Sequence, residues 1–91
     1  MNEPQWGLIV AGPARRAVGR LPEKVAVAVL DFMLGPLVEN PHRVGKPLRG
    51  DLTGLHSARV GAYRIVYEIG EADHIVRVVF VDHRADVYRP R

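Results

Sequence analysis

The chain reads as an α+β domain: an N-terminal strand, then two helices packed on one face of a small antiparallel sheet, in the order β-α-α-β-β-β. Three observations predict this. Apolar residues recur at helical spacing in two stretches before Gly35, and at a spacing of two after Leu55. Proline and glycine pairs punctuate the first half. Helices grouped ahead of consecutive strands with short turns leave an antiparallel sheet with helices to one side. At 91 residues the chain is expected to be one domain, 1–91, with a modest core.

Residues 6–10 (WGLIV) form the expected first strand, stopped by Gly12-Pro13. Pro13 suits the first turn of a helix because it has no N–H to leave unpaired. Ala14, Ala17, Val18 and Leu21 then follow helical spacing. Pro22 opens a second helix, whose core-facing stripe is Val25, Ala28, Val29, Phe32 and Met33. Gly35-Pro36 is expected to weaken or end it. A second apolar row on this helix, Val27, Leu30 and Leu34, exceeds what a surface helix needs. It is either enclosed within the fold or covered by another chain. Asn40-Pro41 starts an expected loop that runs through His42, Arg43, Gly45, Lys46 and Pro47. Strands are expected at 55–60, 63–69 and 74–81, with 82–91 as a polar tail. The third of these is apolar on both faces apart from Arg77, which predicts a central strand.

The chain has no cysteine, so disulfides and thiolate metal sites are excluded and a reducing cytoplasm is the expected setting. The first residues lack the basic start of a signal peptide, and no apolar run approaches membrane-spanning length. The formal net charge is +3. Basic and acidic residues balance up to Glu39. From Arg43 to Arg64 come Arg43, Lys46, Arg49, Arg59 and Arg64 against the lone acid Asp51. Such a surplus points to a polyanion, usually phosphate.

The sharpest signal is Val60-Gly61-Ala62-Tyr63. Glycine at the first central position suits a two-residue type II′ turn. That register sets Arg59 opposite Arg64, with Cβ atoms about 4.5–5.5 Å apart. Like charges so placed repel, and an anion between them relieves the repulsion. The guanidinium fork matches phosphate. The alternatives are that both arginines splay into water, or that Glu68 or Asp51 neutralises one. Arg49 and Arg84 add positive charge. His42, His56, His74 and His83 show no metal-ligand spacing. Tyr88, in a basic tail, either stacks on a base or covers the sheet.

The segments LPEKVAVAVLDFML, NPHRVGKPLRGDLTGLHSARVGAYRIVYEI and VFVDHRADVYR resemble the RelE-type toxins of the RelE/ParE toxin–antitoxin superfamily. The resemblance spans about Leu8 to Arg89. Its most specific parts are Lys46-Pro47-Leu48-Arg49, Arg59-Val60-Gly61-Ala62-Tyr63-Arg64, and Asp82-His83-Arg84 followed by Asp86-Val87-Tyr88. It implies a RelE-like fold and a ribosome-dependent endoribonuclease that cuts mRNA in the ribosomal A site. The RNA's 2′-OH attacks the adjacent phosphate and the 5′-O leaves, with neither metal nor cofactor. The partners implied are a cognate antitoxin, the ribosome and mRNA. No membrane is implied, and DNA only through the antitoxin complex.

By the same resemblance, Arg49 and Arg59 surround the scissile phosphate, with Lys46 and Arg43 as further phosphate-binding residues. Arg64 is implied to stabilise the pentacovalent phosphate, Arg84 to assist the leaving group or meet the same charge, and Tyr88 to orient or stack the nucleotide. Some relatives carry lysines where this chain has His56, Ser57 and Arg59. Arginine is a poor proton acceptor, so His83 is the substitute candidate for general base. Val27, Leu30 and Leu34 become the expected antitoxin contact. Two other readings share the fold: a ParE-like inhibitor of DNA gyrase, and a degenerate module that only binds its antitoxin.

Overall fold

The computed structural model describes residues 5–83. Strand β1 (Gly7–Val10) leads into helices α1 (Gly12–Gly19) and α2 (Glu23–Phe32). A single helical turn, α3 (Pro41–Val44), and a two-residue strand, β2 (Lys46–Pro47), follow. Strands β3 (His56–Val60), β4 (Tyr63–Gly70) and β5 (Ile75–His83) complete a five-stranded sheet in the order β1-β5-β4-β3-β2.

The α+β class and the element order are as read, but the sheet is mixed rather than antiparallel. β1 runs parallel to β5, with Gly7 opposite Ile75 and Val10 opposite Val78. The chain crosses the whole helical layer between them, and such a crossover is what a parallel pair requires. Because β1 caps β5 and β2 extends β3, the middle position belongs to β4, not β5. β5 also continues past Val81, so Asp82 and His83 are strand residues opposite Arg64 and Tyr63 rather than the start of a tail.

Gly35-Pro36 does not end the second helix. The chain widens into a π turn, Met33–Leu37, and stays helical to Glu39. Pro36 has no N–H to donate, and the wider turn accommodates it without ending the element. The core stripe is thereby prolonged: Val29, Met33 and Leu37 are fully buried, whereas Ala28 is exposed. The stretch after Asn40, expected as loop, contains α3 and β2.

The helices cover one face of the sheet. Ala58, Ile65, Tyr67, Val76, Val78 and Val81 meet Ala14, Val29, Met33 and Leu37 in one core. Each fully buried aliphatic chain here contributes about 1.5–3 kcal/mol. Tyr67 also donates its hydroxyl to the carbonyl of Pro41 at 2.7 Å, tying α3 to β4. Burial pushes this phenol up to about 12. Gly45 lies directly over that bond. A Cβ there would collide with the Tyr67 hydroxyl and stand 2.7 Å from the Ser57 carbonyl oxygen, so β2 reaches β3 only with glycine at this position.

Three of the scattered histidines gather around α3. Trp6 stacks on His74 with ring centroids 3.9 Å apart and meets His42 edge-on at 5.7 Å. His42 reaches Glu71 at 2.8 Å, and His56 stacks on Tyr67 at 5.6 Å. Desolvation, with His42 nearby, holds the His56 imidazole below the usual histidine range.

Candidate phosphate-binding site

The face turned away from the helices carries Ser57 and Arg59 on β3, Arg64, Val66 and Glu68 on β4, and Arg77, Phe80 and Asp82 on β5. It is not wholly open, since Val66 and Arg64 are only 1% and 7% exposed.

Two local features set its register. The first is the β3–β4 turn. Gly61 has φ +60°, as the first central residue of a type II′ turn needs, and Val60 faces Tyr63. Arg59 therefore faces Arg64, as the sequence predicts. The second is a β-bulge between β4 and β5. Tyr67 faces Val78 but Val66 faces Phe80, which leaves Val79 as an extra residue. Counting from the Glu71–His74 turn without it, Arg64 would face Val81. With it, Arg64 faces Asp82. Bulges near sites commonly re-aim side chains in this way. The result is a row across three strands, Arg59–Arg64–Asp82. One step along the same face, Lys46 on β2 faces Ser57.

Beside this row lies a cavity of about 550 Å³, in the size range of small-ligand sites. Arg43, Lys46, Arg59 and Arg64 all line it, together with Gly45 and Ser57, and among the described residues no carboxylate does. Arg64 is buried and Arg59, Arg43 and Lys46 are exposed. One cation is thus held in place by packing while three can adjust to an anion. Four cations around one cavity suit a phosphodiester and its neighbours.

The remaining expected site residues divide. Arg49 is exposed at the start of a 3₁₀ turn (Gly50–Leu52) and does not line the cavity. His83 faces Tyr63, edge-on with ring centroids 5.1 Å apart. Strand alternation therefore places it on the face of the sheet opposite that of Arg64. Arg84 and Tyr88 lie outside the described residues. Glu68 does not neutralise Arg64, because Arg77 contacts it at 3.3 Å. Asp51 is exposed in the 3₁₀ turn. Asp82 was not foreseen, since only the bulge brings it into register and nothing in the β5 sequence marks the extra residue.

Val27, Leu30 and Leu34 are 52%, 42% and 64% exposed. The row is therefore not enclosed within its own fold. Among the described residues, no helix is long and apolar enough to cross a membrane.

Residues 9–88 match the family model described as the ParE toxin of type II toxin–antitoxin system, parDE. Toxin RelE of Mycobacterium tuberculosis is 51% identical over 88 residues, covering 97% of this chain and 91% of that protein. Toxin RelG of the same organism is 49% identical over 76 residues, covering 84% and 87%. The crystal structure of the RelBE2 toxin–antitoxin complex from M. tuberculosis matches with a TM-score of 0.85 at 43% identity, covering 90% of this chain and 94% of that chain. The fold is RelE-like.

Proposed function

The chain belongs to the ParE toxin family of type II toxin–antitoxin systems, and from that premise we propose that this toxin is a ribosome-dependent endoribonuclease acting on mRNA in the A site. One observation carries the reading: a cavity lined by Arg43, Lys46, Arg59 and Arg64 and, among the described residues, by no carboxylate, with Arg59 and Arg64 directly opposed.

In the reaction the 2′ oxygen of one nucleotide attacks the adjacent phosphorus and the bond to the 5′ oxygen breaks. A 2′,3′-cyclic phosphate and a 5′-hydroxyl end result. The 2′-OH loses its proton and the leaving oxygen gains one. Negative charge grows on the pentacovalent phosphorus, and Arg64 and Arg59 meet it with charge-assisted hydrogen bonds. Arg43 and Lys46 hold flanking phosphates. Arg84 and Tyr88 keep the roles the family resemblance implies, leaving-group assistance and nucleotide orientation. The proton acceptor is none of the arginines, because a guanidinium stays protonated.

The exposed row Val27, Leu30 and Leu34 takes the apolar side of a cognate antitoxin, in keeping with the toxin–antitoxin complex among the solved relatives. The cytoplasm is the compartment in which both partners meet.

The test is to express the chain without antitoxin and map mRNA ends on translating ribosomes. Cuts within A-site codons that vanish in Arg64→Ala support the nuclease. Growth arrest with intact mRNA and damaged DNA assigns gyrase as the target instead, and absence of toxicity assigns a binding module.

A further inference from the structure

We infer that Ser57 selects ribose over deoxyribose: its hydroxyl, set in the wall of the cationic cavity, bonds the 2′-OH of the strand whose phosphates the cavity holds. The inference deepens the nuclease reading and rests on it, because the 2′-OH is the nucleophile of that reaction.

Strand alternation aims Ser57 at the cavity. Its neighbours along β3 turn the other way: Ala58 enters the core, and His56 stacks on the core residue Tyr67. Ser57 therefore shares the face of Arg59 and Arg64. It stands opposite Lys46 on β2 and Val66 on β4, and it lines the cavity with Lys46, Arg59 and Arg64. Pairing on both sides fixes its backbone. Gly45 adds to this, since it lets the chain entering β2 approach the Ser57 carbonyl more closely than a residue with a Cβ allows.

The chemistry of the wall singles this residue out. Arginine and lysine side chains only donate hydrogen bonds. Val44, Pro47, Leu48 and Ala58 bring no polar side-chain atom, and Gly45 has no side chain. Among the described residues of the wall, Ser57 thus carries the one side chain that can accept a hydrogen bond. Its hydroxyl makes no hydrogen bond to another described residue. The cations satisfy phosphate oxygens, which only accept. They cannot take the hydrogen of a 2′-OH, which both donates and accepts. A serine hydroxyl can, and it keeps its own hydrogen to give to an adjacent phosphate oxygen. This ties the 2′ oxygen to a paired strand beside the cations that hold the phosphate, and so orients the nucleophile. Ser57 is a positioning residue in this role, since a hydroxyl is too weak a base to keep the proton.

The test uses the full-length toxin as wild type, Ser57→Ala and Ser57→Thr. Binding of oligo(rU) and oligo(dU), which differ only in the 2′-OH, is followed by fluorescence anisotropy at one salt concentration, with strand integrity checked on gels. Wild type should bind the ribose strand about fivefold more tightly, the worth of one net hydrogen bond. Ser57→Ala should bind both strands alike, with its affinity for oligo(dU) unchanged, which shows fold and cation wall intact. Ser57→Thr keeps the hydroxyl and should keep the preference. On programmed ribosomes, Ser57→Ala should lower kcat about tenfold, as expected of a nucleophile less well oriented.

A wild-type protein that binds both strands alike overturns the inference. So does a ribose preference that survives in Ser57→Ala, an equal loss of both strands in that variant, or an unchanged kcat. If the wild-type protein cuts no RNA on ribosomes, the nuclease reading fails separately, and the ratio of ribose to deoxyribose binding still decides whether Ser57 reads the 2′-OH.

Discussion

Arg64 and Asp82 stand opposite each other across β4 and β5 because β5 holds one residue more than the ladder needs. On its other side Arg64 meets Arg59. Arg64 is thus in register between a cation and an anion, and it lines a cavity together with Arg43, Lys46 and Arg59. Each cation of that wall sits on a different structural support, and each support makes a separate prediction.

Binding should depend steeply on salt. Neutralising phosphates with cations releases counterions, with a slope of about −0.7 per contact on single strands. Arg43→Ala and Lys46→Ala should each flatten the log–log salt dependence of RNA binding by about 0.7, read by fluorescence anisotropy. Arg49→Ala should change it less, because Arg49 lies outside the cavity wall. An Arg49 effect as large as that of Arg59→Ala would show that the RNA path runs over the 3₁₀ turn instead.

His83 should not set the pH dependence of cleavage. Its ring lies against Tyr63 on the helix side of the sheet. His83→Gln should leave the pH–rate profile in place. A profile shifted by this change would mean that the end of β5 turns over when RNA binds.

What was legible in the sequence follows from how local each signal is. The Gly61 turn needs only four residues, so the Arg59–Arg64 register could be read directly. The period-two pattern of β4 placed its tyrosines on the helix side and its arginine on the other. The bulge at Val79 changes no periodicity that a β5 apolar on both faces would reveal, so Asp82 stayed hidden in an expected tail. Pro36 looked like a stop because a π turn can carry a proline that an α-helix interior tolerates poorly. The parallel pairing of β1 depends on where the chain returns after the helices, which no local pattern records.

The scaffold behind the cavity should be sensitive at Gly45 and Tyr67. Gly45→Ala forces a methyl group onto the Tyr67 hydroxyl and the Ser57 carbonyl. Overpacking of this kind costs about 1–3 kcal/mol, measured by urea denaturation. Tyr67→Phe loses the bond to Pro41, a cost of about 1 kcal/mol. It should also relieve part of the Gly45→Ala clash, so the two effects should be less than additive.

Two pH dependences of stability follow from burial. The Tyr67 phenol is raised from 10.0 to about 12, so the folded state keeps a proton the unfolded chain gives up. Its stabilising effect is full below pH 10 and is lost as pH rises toward 12, and Tyr67→Phe should flatten this alkaline fall. His56 is lowered from 6.5, so the unfolded chain takes up a proton first. Stability is full above 6.5 and falls as pH drops through the lowered value, and His56→Phe should blunt this acid limb.

The apolar row on α2 should matter to the antitoxin and not to the fold. Leu30→Asp and Leu34→Asp alter exposed positions, so stability should change by about 0.5 kcal/mol or less. Antitoxin affinity, measured by calorimetry, should fall at least about tenfold if either residue anchors the contact. Unchanged affinity would place the antitoxin on another surface.

Single-turnover cleavage of A-site mRNA by wild type and Arg64→Ala, with folding of both checked by circular dichroism, tests the central claim most directly. Removing one preorganised charge donor should slow cleavage about 100- to 1,000-fold while RNA binding falls far less. A loss below about tenfold in a folded Arg64→Ala protein would contradict the role given to this residue, and with it the phosphate site built around it.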